Sequence, residues 1–455
     1  MPAHDTRLEQ SEYRLALVRF GSQTVWVDCT NGALRLPRVT IPRWVRPAGQ
    51  LQMAIEAGWH LRIIILDFLP SKVDSAPCAV VEIMSSEAPD GLASASIDEI
   101  FEEDMAMDER EAIRAILADS GSARGPFSRV GWIQDAITWM RAEVGQDVQF
   151  TEDIHQLNAS ATFALIRFAT ETGPAFWLKA TGEPNLHEFD ITKTLTAICP
   201  EYLPRLVTMR RDWNAWVMED AGEPLGQHAC VSLLEKAVVS MANLQKNTLG
   251  RTEQLLTAGA TDQRIPVLRG DVDEIISYLE EAMERQTSTK VPRLRASQLR
   301  EIGAILIDAM GAMEELGIPD TVIHNDINRG NILFSDRGCV FTDWSEACIG
   351  NPFVTCHHLL MLLASDGENP EADRAALKQA YQQTWGDCLD PKQFDQAFAL
   401  MPLLAVASHL YGRGEWLRSS RQYDPHFLSH ARTLARHMDR AARSPLLLGA
   451  LCHEA

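Results

Sequence analysis

The 455-residue sequence lacks several things, and each absence removes a class of function. No apolar stretch approaches the ~18 residues that mark a membrane-crossing helix, so no span and no membrane partner is expected. The opening MPAHDTRLEQSEYR has no apolar segment of the kind that drives secretion, so no signal peptide is expected. The nine cysteines (Cys29, Cys78, Cys199, Cys230, Cys339, Cys348, Cys356, Cys388 and Cys452) form no CxxC pair, and no histidine spacing completes a zinc site. An odd, scattered set points to reduced thiols and a cytoplasmic setting. Basic residues are in deficit, 42 Lys and Arg against 62 Asp and Glu, for a net charge of −20. That balance argues against nucleic-acid backbone binding. It is compatible with a cationic partner, although acidic surfaces also keep a protein soluble. No Ser-His-Asp order or nucleophile elbow is present.

What is present is an ordinary globular composition, 46% apolar and 23% charged, long enough for two or three domains. The first part is rich in short β-branched runs: YRLALVRF (13–20), TVWVDC (24–29), HLRIIILDFL (60–69) and CAVVEIM (78–84) read as strands. An acidic stretch, 97–120, has helical periodicity, and the turn-prone GSARGPFS (121–128) marks a domain boundary. This α/β segment, 1–125, faintly resembles a Nudix-type module. AGQLQMAIEAGWHL offers only Glu56 where that chemistry needs several metal-binding carboxylates, so an accessory domain is expected. Residues 126–222 read as a β-rich lobe: a helix over 131–145, a hairpin from FALIRFAT (163–170) and FWLKAT (176–181), a helix in NLHEFDITKTLTAI, and a strand in NAWVMEDAG (214–222). From 223 to 455 the pattern is mainly helical.

One polar run interrupts that helical region. VIHNDINRGNILF (322–334) sets His, Asn, Asp, Asn, Arg and Asn between apolar residues. NILF and VFTD, joined by SDRGC, read as a tight hairpin with Asp336 and Gly338 in the turn. Antiparallel pairing would bring Asn331 near Asp343, with opposed Cα atoms about 4.5–5.5 Å apart. An amide oxygen and a carboxylate so placed can share one hard cation such as Mg²⁺. Asp326, five residues before Asn331, can hang over the same spot.

The spacing His324-x-Asp326-x₄-Asn331 followed by Asp343, with Gly330–Leu333, Asp343–Trp344 and IGNP, resembles the aminoglycoside phosphotransferase family over roughly residues 130–445. The resemblance implies an α+β, bilobal protein-kinase-like fold and γ-phosphoryl transfer from ATP or GTP, with Mg²⁺, to a hydroxyl of a small molecule. It implies Asp326 as the residue that orients or deprotonates that hydroxyl and His324 as support for the loop. Asn331 and Asp343 would be metal ligands, and Lys179 a phosphate contact paired with a helix glutamate. Glu188 is the expected partner and Glu183 its rival, although Asn185-x-x-Glu188 also reads as a capping box. Met218-Glu219-Asp220-Ala221 resembles the hinge whose backbone, at Glu219 and Ala221, meets the purine edge.

Three departures bear on activity. QLNASATF has no Gly-rich motif, leaving Ser160 or Thr162 to donate to phosphate. Arg329 stands where the family often has proline. Thr355 stands where an aspartate commonly braces the loop, and a hydroxyl makes fewer and weaker hydrogen bonds than a carboxylate. A binding module without turnover is therefore the rival reading. Glu280, Glu281 and Glu284 could meet a cationic acceptor or form a solvated helix face. Arg432, Arg436, Arg440 and Arg443 read as a solvated face, and His357-His358 as packing residues.

Overall fold

The computed structural model describes residues 10–452 apart from 31, 44–45, 70–75, 119–123, 146, 227–228, 364–368 and 413–422. The first residues of the expected boundary turn, 121–123, thus lie outside the described residues. The chain divides into two compact units: residues 1–189 with 205–220, and residues 190–204 with 221–455.

The first unit is built on two sheets. One contains β1 (Gln10–Val18), β2 (Thr24–Asp28), β3 (Arg38–Pro42), β4 (Ile63–Leu69), β5 (Cys78–Ile83) and β6 (Leu92–Ser96), in the order β4-β5-β1-β2-β6 with β3 also on β1. β5 runs parallel to β1, and the rest pair antiparallel. Helix α1 (Ala48–Trp59) buries Ala48, Leu51 and Ile55 against this sheet. The acidic stretch forms only a short helix, α2 (Met107–Leu117), instead of one over 97–120. Its charges are partly interior. Glu109 takes a bidentate pair from buried Arg14 at 2.9 and 2.5 Å, and the Asp104 carboxylate accepts the Leu36 N–H at 2.5 Å. Just ahead of α2 the chain makes only an isolated turn, with the Asp104 and Met105 N–H groups both on the Phe101 carbonyl, so the periodicity overran the helix.

The second sheet follows α3 (Trp132–Val144). It comprises β7 (Phe150–Ala159), β8 (Ala164–Thr170), β9 (Phe176–Ala180), β10 (Leu206–Arg210) and β11 (Ala215–Glu219), in the order β10-β11-β9-β8-β7, all antiparallel. Both sheets feed one core. Val18, Leu66 and Val80 belong to the same buried cluster as Trp132, Ile166 and Leu178. Buried Gln156 adds a polar seam, its amide bonding both the N–H and the C=O of Ile65 at 2.8 Å. The segment read as an accessory module and the segment read as a β-rich lobe therefore share one compact unit. The faint Nudix likeness finds no support.

Helix α4 (Glu188–Ile198) leads into the second unit, which is mainly helical. It holds α5 (Val231–Asn247), α6 (Thr252–Thr257), α7 (Ile265–Gly270), α8 (Val272–Glu284), α9 (Ala296–Glu315), α10 (Phe353–Leu363), α11 (Pro370–Trp385), α12 (Pro391–Gly412), α13 (Pro425–Ala442) and α14 (Pro445–Cys452). Two three-stranded sheets interrupt the helices. One orders β12 (Glu223–Pro224), β15 (Ile332–Ser335) and β16 (Gly338–Phe341); the other orders β13 (Thr261–Asp262), β17 (Ala347–Gly350) and β14 (Thr321–His324). A single apolar cluster from Leu234 through Phe341 and Phe394 to Met438 fills the unit. The fold is of the expected α+β class, with one β-rich unit and one mainly helical unit.

Candidate active site

The polar run falls between β14 and β15, and local chemistry fixes its course. Val322 and Ile323 are fully buried, so β14 is anchored on both faces. The Asn328 side chain accepts the Gly330 N–H at 2.9 Å, an Asx turn that starts a single 3₁₀ turn over Arg329–Asn331. β15 and β16 then pair from Ile332↔Phe341 to Ser335↔Gly338, leaving Asp336 and Arg337 as a two-residue turn.

Beyond the last pair, the Thr342 N–H donates to the Asn331 carbonyl at 3.1 Å, so Asn331 lies opposite the residue preceding Asp343. The Asn331 amide donates from Nδ2 to the Asp326 carbonyl at 2.9 Å. That bond settles which end of the amide is nitrogen, and leaves Oδ1 for another partner. Asp343 adopts a left-handed backbone, φ 65°, an uncommon conformation for a residue with a side chain. The Ser345 hydroxyl donates to its carboxylate at 3.1 Å. Two hydrogen bonds thus link Asp326, Asn331 and the entry to Asp343. Their side-chain oxygens are hard donors of the kind Mg²⁺ takes. Among the described residues there is no cluster of three or more His, Cys, Asp or Glu suited to a metal; an Asn–Asp pair is a different donor set.

His324 is 1% exposed. Its Nε2 is 2.9 Å from the Thr342 carbonyl, and its ring lies on Trp344 with centroids 4.5 Å apart. The imidazole joins the two strand ends instead of facing solvent. Thr355, expected to brace the loop only weakly, is fully buried and accepts the His324 N–H at 3.0 Å. Arg329 does something a proline could not. Its guanidinium donates to the Gly226 carbonyl at 2.7 Å, while its own carbonyl accepts the Leu225 N–H at 3.2 Å. The loop's Asn325 is buried, with neither amide atom hydrogen-bonded among the described residues.

In the sheet-bearing unit, Lys179 lies on β9, the central strand, opposite Leu165 and Trp216. Phe176, Leu178 and Ala180 point into the core, which turns Lys179 to the other face. Its ammonium meets Glu188, the first residue of α4, at 2.5 Å, with both side chains buried. The capping-box alternative does not describe this glutamate, because its carboxylate goes to the lysine. The loop between β7 and β8 is a compact turn. The Ser160 hydroxyl oxygen accepts the N–H of Phe163 at 3.0 Å and of Thr162 at 3.4 Å. Phe127 donates its N–H to the Ala161 carbonyl, and a side chain at Gly125 (φ 131°) would collide with that carbonyl. The later residues of the boundary turn therefore prop the loop that lacks glycines. Glu219 ends β11 with its N–H given to the Arg205 carbonyl at 2.9 Å and its carboxylate paired to Arg205. The division between the units falls between Asp220 and Ala221.

The remaining sequence candidates resolve as follows. Glu280 lies 3.7 Å from Arg300 and Glu281 2.7 Å from Arg285, on an ion-paired helix face. Of the arginines on α13, Arg432 and Arg436 are not simply solvated: they donate to the Ala282 carbonyl at 3.1 Å and to Gln286 at 2.6 Å. His357 and His358 pack among helices. Loss of hydration pushes His357 down to about 4 and His358 to about 3. No sequence signal marked the Asn331–Asp326 bond or the Arg329 clasp, although the Asx turn at Asn328 was readable.

Residues 237–390 match the model of the phosphotransferase enzyme family, and the resemblance read from the polar run and its hairpin is borne out there. No curated protein sequence matches the chain. Among solved structures, a macrolide 2'-phosphotransferase from Brachybacterium faecium is similar at 14% identity and TM-score 0.44, covering 66% of this chain and 98% of that one. An ethanolamine kinase from Plasmodium vivax is similar at 12% and 0.44, covering 66% and 84%. A choline kinase from Streptococcus pneumoniae stands at 12% and 0.42, covering 67% and 99%. Likeness this distant assigns no acceptor.

Proposed function

We propose that this chain is a small-molecule kinase that moves the γ-phosphoryl group of ATP or GTP to a hydroxyl of a small metabolite. One observation carries the reading: the β15–β16 hairpin and its entry loop tie Asp326, Asn331 and the approach to Asp343 together by hydrogen bonds. The family match over 237–390, which contains this hairpin, supports it.

Asp326, half-buried on the loop, would accept the proton of the acceptor hydroxyl and aim its oxygen at the phosphorus. Asn331 and Asp343 would hold Mg²⁺, which when bound neutralises charge on the donor's phosphates. Lys179, fixed by Glu188, would bind the donor's phosphates, with Ser160 or Thr162 adding a hydroxyl donor. The backbone at Glu219 and Ala221 would meet the purine. His324 and Thr355 would keep the loop in place without touching substrate. Catalysis would then rest on positioning and charge neutralisation. The nine free cysteines support a cytoplasmic setting, and no helix among the described residues is long and apolar enough to cross a membrane.

The test is turnover by the purified protein with ATP or GTP and Mg²⁺ over a panel of aminoglycosides, amino alcohols, sugars and nucleosides. Asp326→Asn should lose about 10²–10⁴-fold in kcat with nucleotide affinity retained. Near-normal turnover in that variant removes Asp326 from its role. Nucleotide binding with no product from any acceptor favours the binding-module alternative.

A further inference from the structure

Away from the catalytic hairpin, the helical unit carries a groove of about 720 Å³ between α10, α11, α12, α13 and α14. This lies within the ~300–1,000 Å³ of small-molecule sites. Its floor is apolar, formed by Leu360, Phe398, Pro402 and Val406. Met361 and Leu446 stand at its edge, 55% and 75% exposed. Two large apolar side chains left in water beside one groove are a mark of a binding surface. Pro402 adds a polar point. It has no N–H to give to the Phe398 carbonyl one turn earlier in α12.

The rim is cationic on a chain whose net charge is −20. Arg374, Lys378 and Arg440 face a single carboxylate, Asp395, with the imidazole of His437 beside them. Lys378 is already used, 3.2 Å from Asp395 and over the Phe398 ring at 4.5 Å. Arg374 and Arg440 are exposed and have no hydrogen-bond or ion-pair partner among the described residues. Their charge is felt nearby: Arg374 adds to the depression of His357, and Arg440 to that of His437. An apolar floor under uncompensated positive charge suits a ligand with a hydrocarbon tail and an anionic head. A helical partner would need an apolar stripe several turns long, more than this groove offers. The groove is separate from the catalytic loop. Pro402 lies ten residues before Gly412 on α12, about 15 Å along the axis, and Gly412 is the end that meets Asn325.

We propose that this groove binds a free acyl-chain carboxylate, its tail over Phe398, Pro402 and Val406 and its head group at Arg374 and Arg440. The site does not depend on the phosphotransfer reading. Isothermal titration of the full-length protein with decanoate should show saturable binding at one site. Decyltrimethylammonium, with the same tail and the opposite charge, should bind at least about tenfold more weakly. Hexanoate should also bind more weakly, because less apolar surface is buried. The double variant Arg374→Glu/Arg440→Glu should lose at least about tenfold in decanoate affinity and reverse the head-group preference. Both side chains are exposed, so its thermal unfolding should match the parent; if it does not, the single Arg374→Gln and Arg440→Gln variants replace it and should each weaken decanoate. No saturable decanoate binding, equal affinity for the two head groups, or unchanged affinity in the charge variants would overturn the proposal. So would capture of an acidic peptide at the groove by a protein that ignores decanoate.

Discussion

Asp343 combines a left-handed backbone with a carboxylate that one serine hydroxyl holds. Residues kept in sparsely populated conformations cluster at ligand clamps, and the strain costs of order 1–3 kcal/mol each. Replacing Asp343 with Gly would relieve that strain and delete the proposed metal ligand together. The expected outcome is a variant at least as stable as the parent whose nucleotide affinity no longer responds to Mg²⁺. Nucleotide titration with and without the metal, beside a denaturant melt, checks both halves. Lys179 and Glu188 make the complementary case. Removing one partner of a buried pair leaves an uncompensated charge, which costs about 3–5 kcal/mol. Glu188→Ala should therefore destabilise the sheet-bearing unit by that order, and Glu188→Gln by less. Denaturant unfolding of the two variants reads the difference.

At the scale of elements, the loop entering the β15–β16 hairpin is held from two directions. β14 is tied to α10 through the Thr355 hydroxyl. Thr355→Val keeps the shape and removes the acceptor, so the buried His324 N–H would be stranded at a cost of about 1–3 kcal/mol. The expected result is lower stability and a fall in kcat larger than any change in nucleotide Kd, measured by steady-state kinetics and nucleotide titration. The end of α12 approaches the same loop, and a Cβ at Gly412 would collide with the amides of Asn325 and Gln263. Gly412→Ala should displace the loop and lower turnover, whereas Ala at Gly449, which has open space, should not. Element legibility varied for physical reasons. The β15–β16 hairpin was readable because turn chemistry and arm lengths are local. The β7 strand was not, because an edge strand carrying exposed Glu152, Asp153 and His155 has no clean alternation. The acidic 97–120 segment misled because the groups that hold Asp104 just ahead of α2, the Leu36 N–H and the Arg38 guanidinium, come from far along the chain.

For the molecule as a whole, the two units should respond to pH in opposite senses. His357 and His358 are depressed from 6.5 to about 4 and about 3 by lost hydration. Unfolding lets them take up protons sooner, so the stability they confer is complete above 6.5 and falls as pH drops below it. Glu82, in the sheet-bearing unit, is raised from 4.5 to about 7 by burial, against the opposing N–H of Gly131. There the unfolded chain ionises first, so stability is complete below 4.5 and declines as pH rises toward 7. Each group carries a few kcal/mol at about 1.4 kcal/mol per pKa unit. His358→Gln should flatten the acid limb and Glu82→Gln the limb between 4.5 and 7. Denaturant unfolding across that range, with probes in each unit, separates them.

The sequence by itself determined the β15–β16 hairpin and the lysine strand, and it singled out Asp326, Asn331 and Asp343 as the proposed reactive set. Those depend on spacing within a few tens of residues and on the side-chain chemistry of turns. Glu188 was picked out against a capping role, and only the folded structure turned its carboxylate to Lys179. Tertiary structure alone decided that the first 125 residues share a core with the β-rich lobe, that Arg329 clasps the chain at Gly226, and that a cationic apolar groove opens among the last five helices. These features join residues tens to more than a hundred positions apart, and no local pattern carries the burial that brings them together.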